Sequence, residues 1–206
     1  MNVQLIAIVG GSASGKTRLA RRLATALGET AARLSLDDFY RDHSHLSPAE
    51  RAAVNFDHPN TIDWPLFQRC LTGIKQGKTP ALPRYDFKTH TRSSRSRWWR
   101  PRPFVVLDGL WLLRRPTLRR IYDLTIFLRC PESVCFQRRL KRDLAERGRT
   151  RKSIQAQFTH QVAPMHRRFV EPQARLAEVV LDSPIPASQF NALCNRCRAL
   201  GSESQP

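Results

Sequence analysis

The chain has little acid, few cysteines and no long apolar run, and each shortage excludes a class of protein. No hydrophobic stretch approaches the length that spans a bilayer. The apolar N-terminal stretch carries no basic leader and runs straight into a glycine-rich loop, so a secretory signal is not expected there and a cytoplasmic protein is. There are five cysteines, an odd number, in a chain of 206 residues that is neither small nor loop-rich, which argues against a disulfide framework. The one C-x-x-C, Cys194 to Cys197, lacks the second pair a structural zinc site requires and reads as chance spacing on a terminal helix. Acidic residues number 17 against 35 lysines and arginines, a formal charge of +18. That balance favours anionic partners such as nucleotides, nucleic acid or acidic membranes without choosing among them. The Asp-x-x-Gly switch and Asn-Lys-x-Asp reader of regulatory GTPases are missing, as is the G-x-G-x-x-G of dinucleotide-binding domains.

What is present begins at residue 10. Gly10-Gly11-Ser12-Ala13-Ser14-Gly15-Lys16-Thr17 matches G-x-x-x-x-G-K-[ST] in full. Before it, Val3 to Val9 is short, apolar and β-branched, as a buried parallel strand requires. After it, Thr17 to Leu27 repeats its apolar residues at helical spacing and stops at Gly28. Strand, glycine loop and helix in that order turn backbone N–H groups and the helix dipole onto phosphate oxygens. Lys16 would reach the β- and γ-phosphates, and the Thr17 hydroxyl would ligate Mg²⁺. The motif predicts a nucleoside triphosphate, ATP or GTP, as a ligand.

Further strands are expected at Ala31 to Leu36, Phe104 to Gly109, Asp123 to Leu128 and Glu178 to Leu181. Ser47-Pro48-Ala49-Glu50 has the form of a capping box, and helices are expected over about 63–75, 133–146 and 154–169, the last interrupted near Pro164. Tyr85 to Arg100 reads as a hairpin standing off the sheet, with a basic, aromatic tip at Ser93 to Arg97 with Trp98-Trp99. Strands alternating with helices predict an α/β fold, a P-loop NTPase with a central parallel sheet flanked by helices. The whole chain, 1–206, reads as a single domain with a hairpin at about 84–102, a helical lid at about 139–152 and a terminal helix at about 186–200. In such a sheet ligands gather beyond the C-terminal ends of the strands. Asp37 and Asp38 end the second strand and Asp108 ends the third. Asp108 is the natural carboxylate for Mg²⁺, directly or through water, and either Asp37 or Asp38 can take the acceptor's proton.

These blocks together resemble the uridine kinase (uridine–cytidine kinase) family, relatives of phosphoribulokinase and bacterial pantothenate kinase. The similarity runs over about residues 3–183 and is carried by the phosphate loop with Ser35-Leu36-Asp37-Asp38-Phe39-Tyr40, Asn55-Phe56-Asp57-His58-Pro59, Tyr85 to Arg92 and Arg142 to Arg149. The resemblance implies Asp37 as the catalytic aspartate, also close to Mg²⁺, and Asp57 as the carboxylate that grips the ribose 2′- and 3′-hydroxyls. It implies Tyr40, Tyr85, Phe87 and His90 around the pyrimidine, and Gln157 near the sugar or base. Arg139 and Arg142, three apart on one helical face, together with Arg147 and Arg149, match arginines that contact ATP phosphates or the nucleoside's 5′ side. Two positions depart from the family: Asp108 stands where Glu is common, and Asp38 where Ser is. The implied activity is transfer of the γ-phosphoryl of ATP or GTP to the 5′-hydroxyl of uridine or cytidine, in pyrimidine salvage. The alternatives are another alcohol acceptor (nicotinamide riboside, a sugar phosphate or pantothenate) and a basic nucleic-acid-binding protein stacking bases on Trp98 and Trp99. A small nucleoside and a nucleoside triphosphate are thus the expected partners, ahead of nucleic acid or membrane; the resemblance also allows a homo-oligomer.

Overall fold

The structure is a computed structural model describing residues 3–146 and 148–202. β1 (Gln4–Gly10) leads through the glycine loop into α1 (Lys16–Leu27), and β2 (Ala31–Ser35) follows. The second strand therefore ends one residue before the sequence predicts, because Leu36–Phe39 tightens into a 3-10 turn that carries Asp37 and Asp38. The Ser35 hydroxyl starts that turn by accepting from the Asp37 N–H at 3.3 Å. The expected capping box forms at α2 (Pro48–Ala53), and α3 (Trp64–Lys75) follows with its apolar face buried.

The hairpin is present but shifted toward the N-terminus, over 81–98 rather than about 84–102. β3 (Ala81–Leu82) pairs with β6 (Arg97–Trp98), and inside that rung β4 (Tyr85–Asp86) pairs with β5 (Thr91–Arg92), both antiparallel. Arg92 fastens it to the body, donating to the Tyr40 and Phe39 carbonyls at 2.6 and 3.1 Å and pairing with Asp63 at 3.1 Å. The paired tryptophan platform does not form: successive residues of a strand point to opposite faces, so Trp98 is 76% exposed while Trp99 is buried. Both lie at the base of the hairpin rather than at its tip.

β7 (Phe104–Gly109), α4 (Pro116–Arg119) and β8 (Leu124–Arg129) lead to α5 (Glu132–Glu146) and α6 (Arg151–Gln157). Beyond α6 the chain widens into π turns at Phe158–Val162 and His166–Val170 around α7 (Ala163–Met165). The expected interruption at Pro164 is thus a loosening. Proline lacks an N–H and crowds the carbonyl four residues back, and a wider turn relieves that crowding without breaking the helix. β9 (Val179–Asp182) and α8 (Ala187–Ser202) complete the fold.

The five main strands are parallel in the order β2-β7-β1-β8-β9. β1 and β7 are buried along their whole length, which is why they read as unbroken apolar runs. Alternation along β1 feeds two cores. Leu5, Ala7 and Val9 join Phe39, Phe67, Leu71 and Trp111 on one face; Ile6 and Ile8 join Leu19, Leu23 and Cys197 on the other. Cys194 and Cys197 are buried, free thiols of that second core, and burial pushes the Cys197 thiol up to about 12. Among the described residues no helix is long and apolar enough to cross a membrane.

Candidate active site

The parallel register sets the floor of the site. It aligns Ser35 with Asp108 and Ile8 with Asp108, so β1, β2 and β7 finish together beneath the glycine loop. Gly15 caps α1 at φ +100°, a left-handed conformation open to glycine. Gly10 has no room for a side chain, since a Cβ would lie 2.7 Å from Ser14 Oγ and 2.8 Å from the Leu128 carbonyl. Lys16 is buried and its Nζ donates to the Gly11 carbonyl at 3.2 Å.

Asp108 sits below the loop, 1% exposed, with both carboxylate oxygens engaged. Thr17 Oγ1 donates to Oδ2 at 2.7 Å, and Arg33 Nε donates to Oδ1 at 2.7 Å. Arg33 gave no sign in the sequence, where it is one arginine in a short strand; the β2–β7 pairing brings it over. Asp37 lines the cleft above, and burial raises its proton affinity, with Lys16 opposing and Asp108 adding to the effect. Asp38, next in sequence, does not line the cleft; burial raises its proton affinity too, with the arginines Arg97 and Arg33 opposing.

These residues fit a hard divalent cation. Thr17 and Asp108 already share a hydrogen bond, and Asp37 and Asp108 are close enough to repel, a cost that a cation between them would relieve. Among the described residues no group of three His, Cys, Asp or Glu could hold a metal by itself. Such a cation would need phosphate oxygens and water to complete its shell, as Mg²⁺ does at triphosphate sites.

The cleft above has a volume of about 290 Å³. Ser12, Ala13, Gly15, Lys16, Thr17 and Asp37 form its phosphate-loop side. The opposite side is an aromatic box. Tyr40 and Tyr85 have ring centroids 5.2 Å apart, Phe87 meets Tyr85 edge-on at 5.2 Å, and His90 stacks on Phe56 at 4.2 Å with 14° between the planes. His90 adopts φ +55° at the turn of the inner hairpin, and its Nδ1 is 3.4 Å from Tyr85 Oη. Burial keeps the phenols of Tyr40 and Tyr85 protonated. Phe56 precedes Asp57 in the Asn55 to Pro59 block, and no sequence pattern marks it for a role. Asp57 is buried on the same wall.

Arg139, Arg142, Arg149 and Gln157 close the cleft from α5, α6 and the link between them. Arg139 donates to Ser12 Oγ at 2.8 Å and to Gln157 Oε1 at 2.9 Å, and Arg149 Nη1 donates to the same Gln157 oxygen. Gly10, Gly11, Ser14 and Asp108 support the cleft without lining it, and Arg147 lies outside the described residues. Arg138, unassigned from sequence, donates to the Ser14 carbonyl at 3.0 Å and to Ser183 Oγ at 3.1 Å. It divides this cleft from a second one beside Gly15, walled by Arg18, Leu19, Arg22, Leu128, Pro184 and Ile185.

A phosphate loop, the Asp37 and Asp108 carboxylates and an aromatic wall now meet at one end of a parallel sheet. The model of the Phosphoribulokinase / Uridine kinase family matches residues 5–187. The chain belongs to that family. Uridine kinase of Shewanella amazonensis is 39% identical over 182 residues, 86% of each chain. Among solved structures, one from Silicibacter sp. TM1040 superposes with a TM-score of 0.72 at 24% identity, covering 87% of this chain and 89% of the other. Phosphoribulokinase from Rhodobacter spheroides superposes with a TM-score of 0.66 at 15% identity, covering 88% of this chain and 70% of the other. Such structural likeness carries the fold. The family membership makes the chain a P-loop kinase, a nucleotide-binding phosphotransferase.

Proposed function

We propose that this kinase transfers the γ-phosphoryl of ATP, or of GTP, to the 5′-hydroxyl of uridine or cytidine, as a cytoplasmic enzyme of pyrimidine salvage. The observation that carries the reading is the pairing, across one cleft, of the Lys16–Thr17 phosphate end with buried Asp57 inside the box of Tyr40, Phe56, Tyr85 and His90. An ionised carboxylate accepts two hydrogen bonds from a vicinal diol, and the flat box suits a pyrimidine. The second cleft, beside Gly15, with Leu19, Leu128, Pro184 and Ile185 among its lining, seats the donor's base.

Asp37 takes the proton of the 5′-hydroxyl as the new O–P bond forms and the bond to the departing nucleoside diphosphate breaks. Its raised proton affinity makes it a stronger base than an exposed aspartate. Lys16, Arg142 and Arg149 spread the charge of the transferring group in a partly desolvated cleft, where such contacts are strongest. Mg²⁺, held through Thr17, Asp37 and Asp108, would neutralise the phosphate oxygens when bound.

The deciding experiment is a panel of acceptors with ATP·Mg²⁺, read as ADP release: uridine, cytidine, their 2′-deoxy forms, nicotinamide riboside, a pentose phosphate and pantothenate. Uridine or cytidine should lead, with the 2′-deoxy forms much poorer, because loss of a hydroxyl leaves a buried acceptor unpaired. A clear preference for a sugar phosphate or pantothenate overturns the acceptor.

A further inference from the structure

One buried carboxylate in the α5 wall has no part in the chemistry above. Asp143 is fully buried, and two of the cleft's arginines are among its partners. Arg142 Nε donates to Oδ1 at 2.8 Å, and Arg139 Nε lies 3.4 Å from Oδ2. The Arg149 N–H also reaches the Asp143 carbonyl, at 3.4 Å. A buried carboxylate is costly unless paired, and here pairing fixes where both guanidinium planes lie.

Arg139 is itself only 4% exposed and works in three directions from that seat. Nη1 donates to Ser12 Oγ in the phosphate loop at 2.8 Å. Nη2 donates to Gln157 Oε1 at 2.9 Å and stands 3.9 Å from Asp57 Oδ2. One rigid, five-donor fork thus touches the donor loop, the acceptor carboxylate and α6.

We propose that Asp143 is a positioning residue that holds Arg139 as a bridge between the two halves of the cleft, so that triphosphate and nucleoside each raise the other's affinity. The proposal rests on the acceptor reading above. A triphosphate that takes up the Ser12 contact, or a diol on Asp57, draws on the same guanidinium. Because Asp143 holds that fork at one edge, its remaining contacts move as one: the ligand that binds first sets it, and the second meets it in the placement it needs. Linkage makes the effect reciprocal.

The test is calorimetric titration of uridine into the full chain, with and without a saturating non-hydrolysable ATP analogue and Mg²⁺. The wild-type protein should bind uridine at least about fivefold more tightly with the analogue, the lower end of common coupling strengths. Ser12→Ala removes only the donor-side hydroxyl, and Asp143→Asn keeps the shape while removing the charge; in both, the ratio should fall toward one. A melting curve checks that Asp143→Asn is folded, and Ser12→Ala carries the test if it is not. A wild-type ratio of one, or Ser12→Ala keeping the wild-type ratio, overturns the bridge. A folded Asp143→Asn that keeps the ratio overturns the role of Asp143. No uridine binding under either condition overturns the acceptor reading, and this proposal with it.

Discussion

Asp37 and Asp38 differ in sequence by nothing but position, yet the 3-10 turn after β2 gives them different company. Asp37 faces Lys16 and the cleft, whereas Asp38 answers to Arg97 and Arg33. Asp37→Asn should lower kcat by about 10²–10⁴, the range for a lost general base. Asp38→Asn should leave kcat within a few-fold, and steady-state kinetics on both variants would expose the reverse assignment. His166 offers a second residue-scale prediction. It is half-buried against the phosphate loop, and burial lowers its proton affinity, with Glu171 and Glu132 opposing and Lys16 and Arg167 adding to the effect. A histidine whose folded value lies below its unfolded value, about 6.5, favours folding in its neutral form. That contribution is complete above the unfolded value and is lost as pH falls through the folded one. Wild type should therefore lose more stability than His166→Gln between about pH 7.5 and 5, compared by urea unfolding. Equal slopes would show that His166 titrates as it does in the unfolded chain.

Element by element, the phosphate loop is held from outside as much as by its own glycines. A Cβ on Gly11 would lie 2.8 Å from His166 Nδ1 and 2.9 Å from Cε1, so the π-turn segment presses on the loop. Gly11→Ala must displace one or the other, and overpacking of this kind costs about 1–3 kcal/mol. Nucleotide affinity should weaken by about tenfold or more, tenfold corresponding to 1.4 kcal/mol. His166→Ala in the same background should restore most of it, a non-additivity that a double-mutant cycle on nucleotide binding measures. Additive losses would mean that the two residues do not meet. The loop and its strand and helix were legible in sequence because their signals are local. The widened helix around Pro164 was not, because a proline marks only where regular bonding fails.

For the whole molecule, the charge of +18 on 206 residues is the dominant long-range term. Like charges gathered on one compact body repel, and salt screens them with a Debye length of about 10 Å at 0.1 M. The melting temperature should therefore rise from low salt to about 0.3 M NaCl, where screening is shorter still. A scan showing no rise, or a fall, would mean that the ion pairs lost to screening, such as Arg92 with Asp63 and Lys75 with Asp123, outweigh the repulsion. The same excess cation explains why buried carboxylates such as Asp57, Asp108 and Asp143 each find an arginine within reach.

The sequence by itself determined the donor half: an ordered strand, glycine loop and helix, with Lys16 and Thr17 in fixed positions, because eight consecutive residues carry the motif. Separate blocks that resemble one family also singled out Tyr40, Asp57, Tyr85 and His90, and all four line the cleft. What only the tertiary structure decided is who meets whom. The β2–β7 register puts Arg33 on Asp108; the hairpin folds His90 onto Phe56; α5 lays Asp143 behind Arg139, which then spans Ser12 and Asp57. Those contacts join residues far apart in the chain, and no local pattern records a distance that only packing creates.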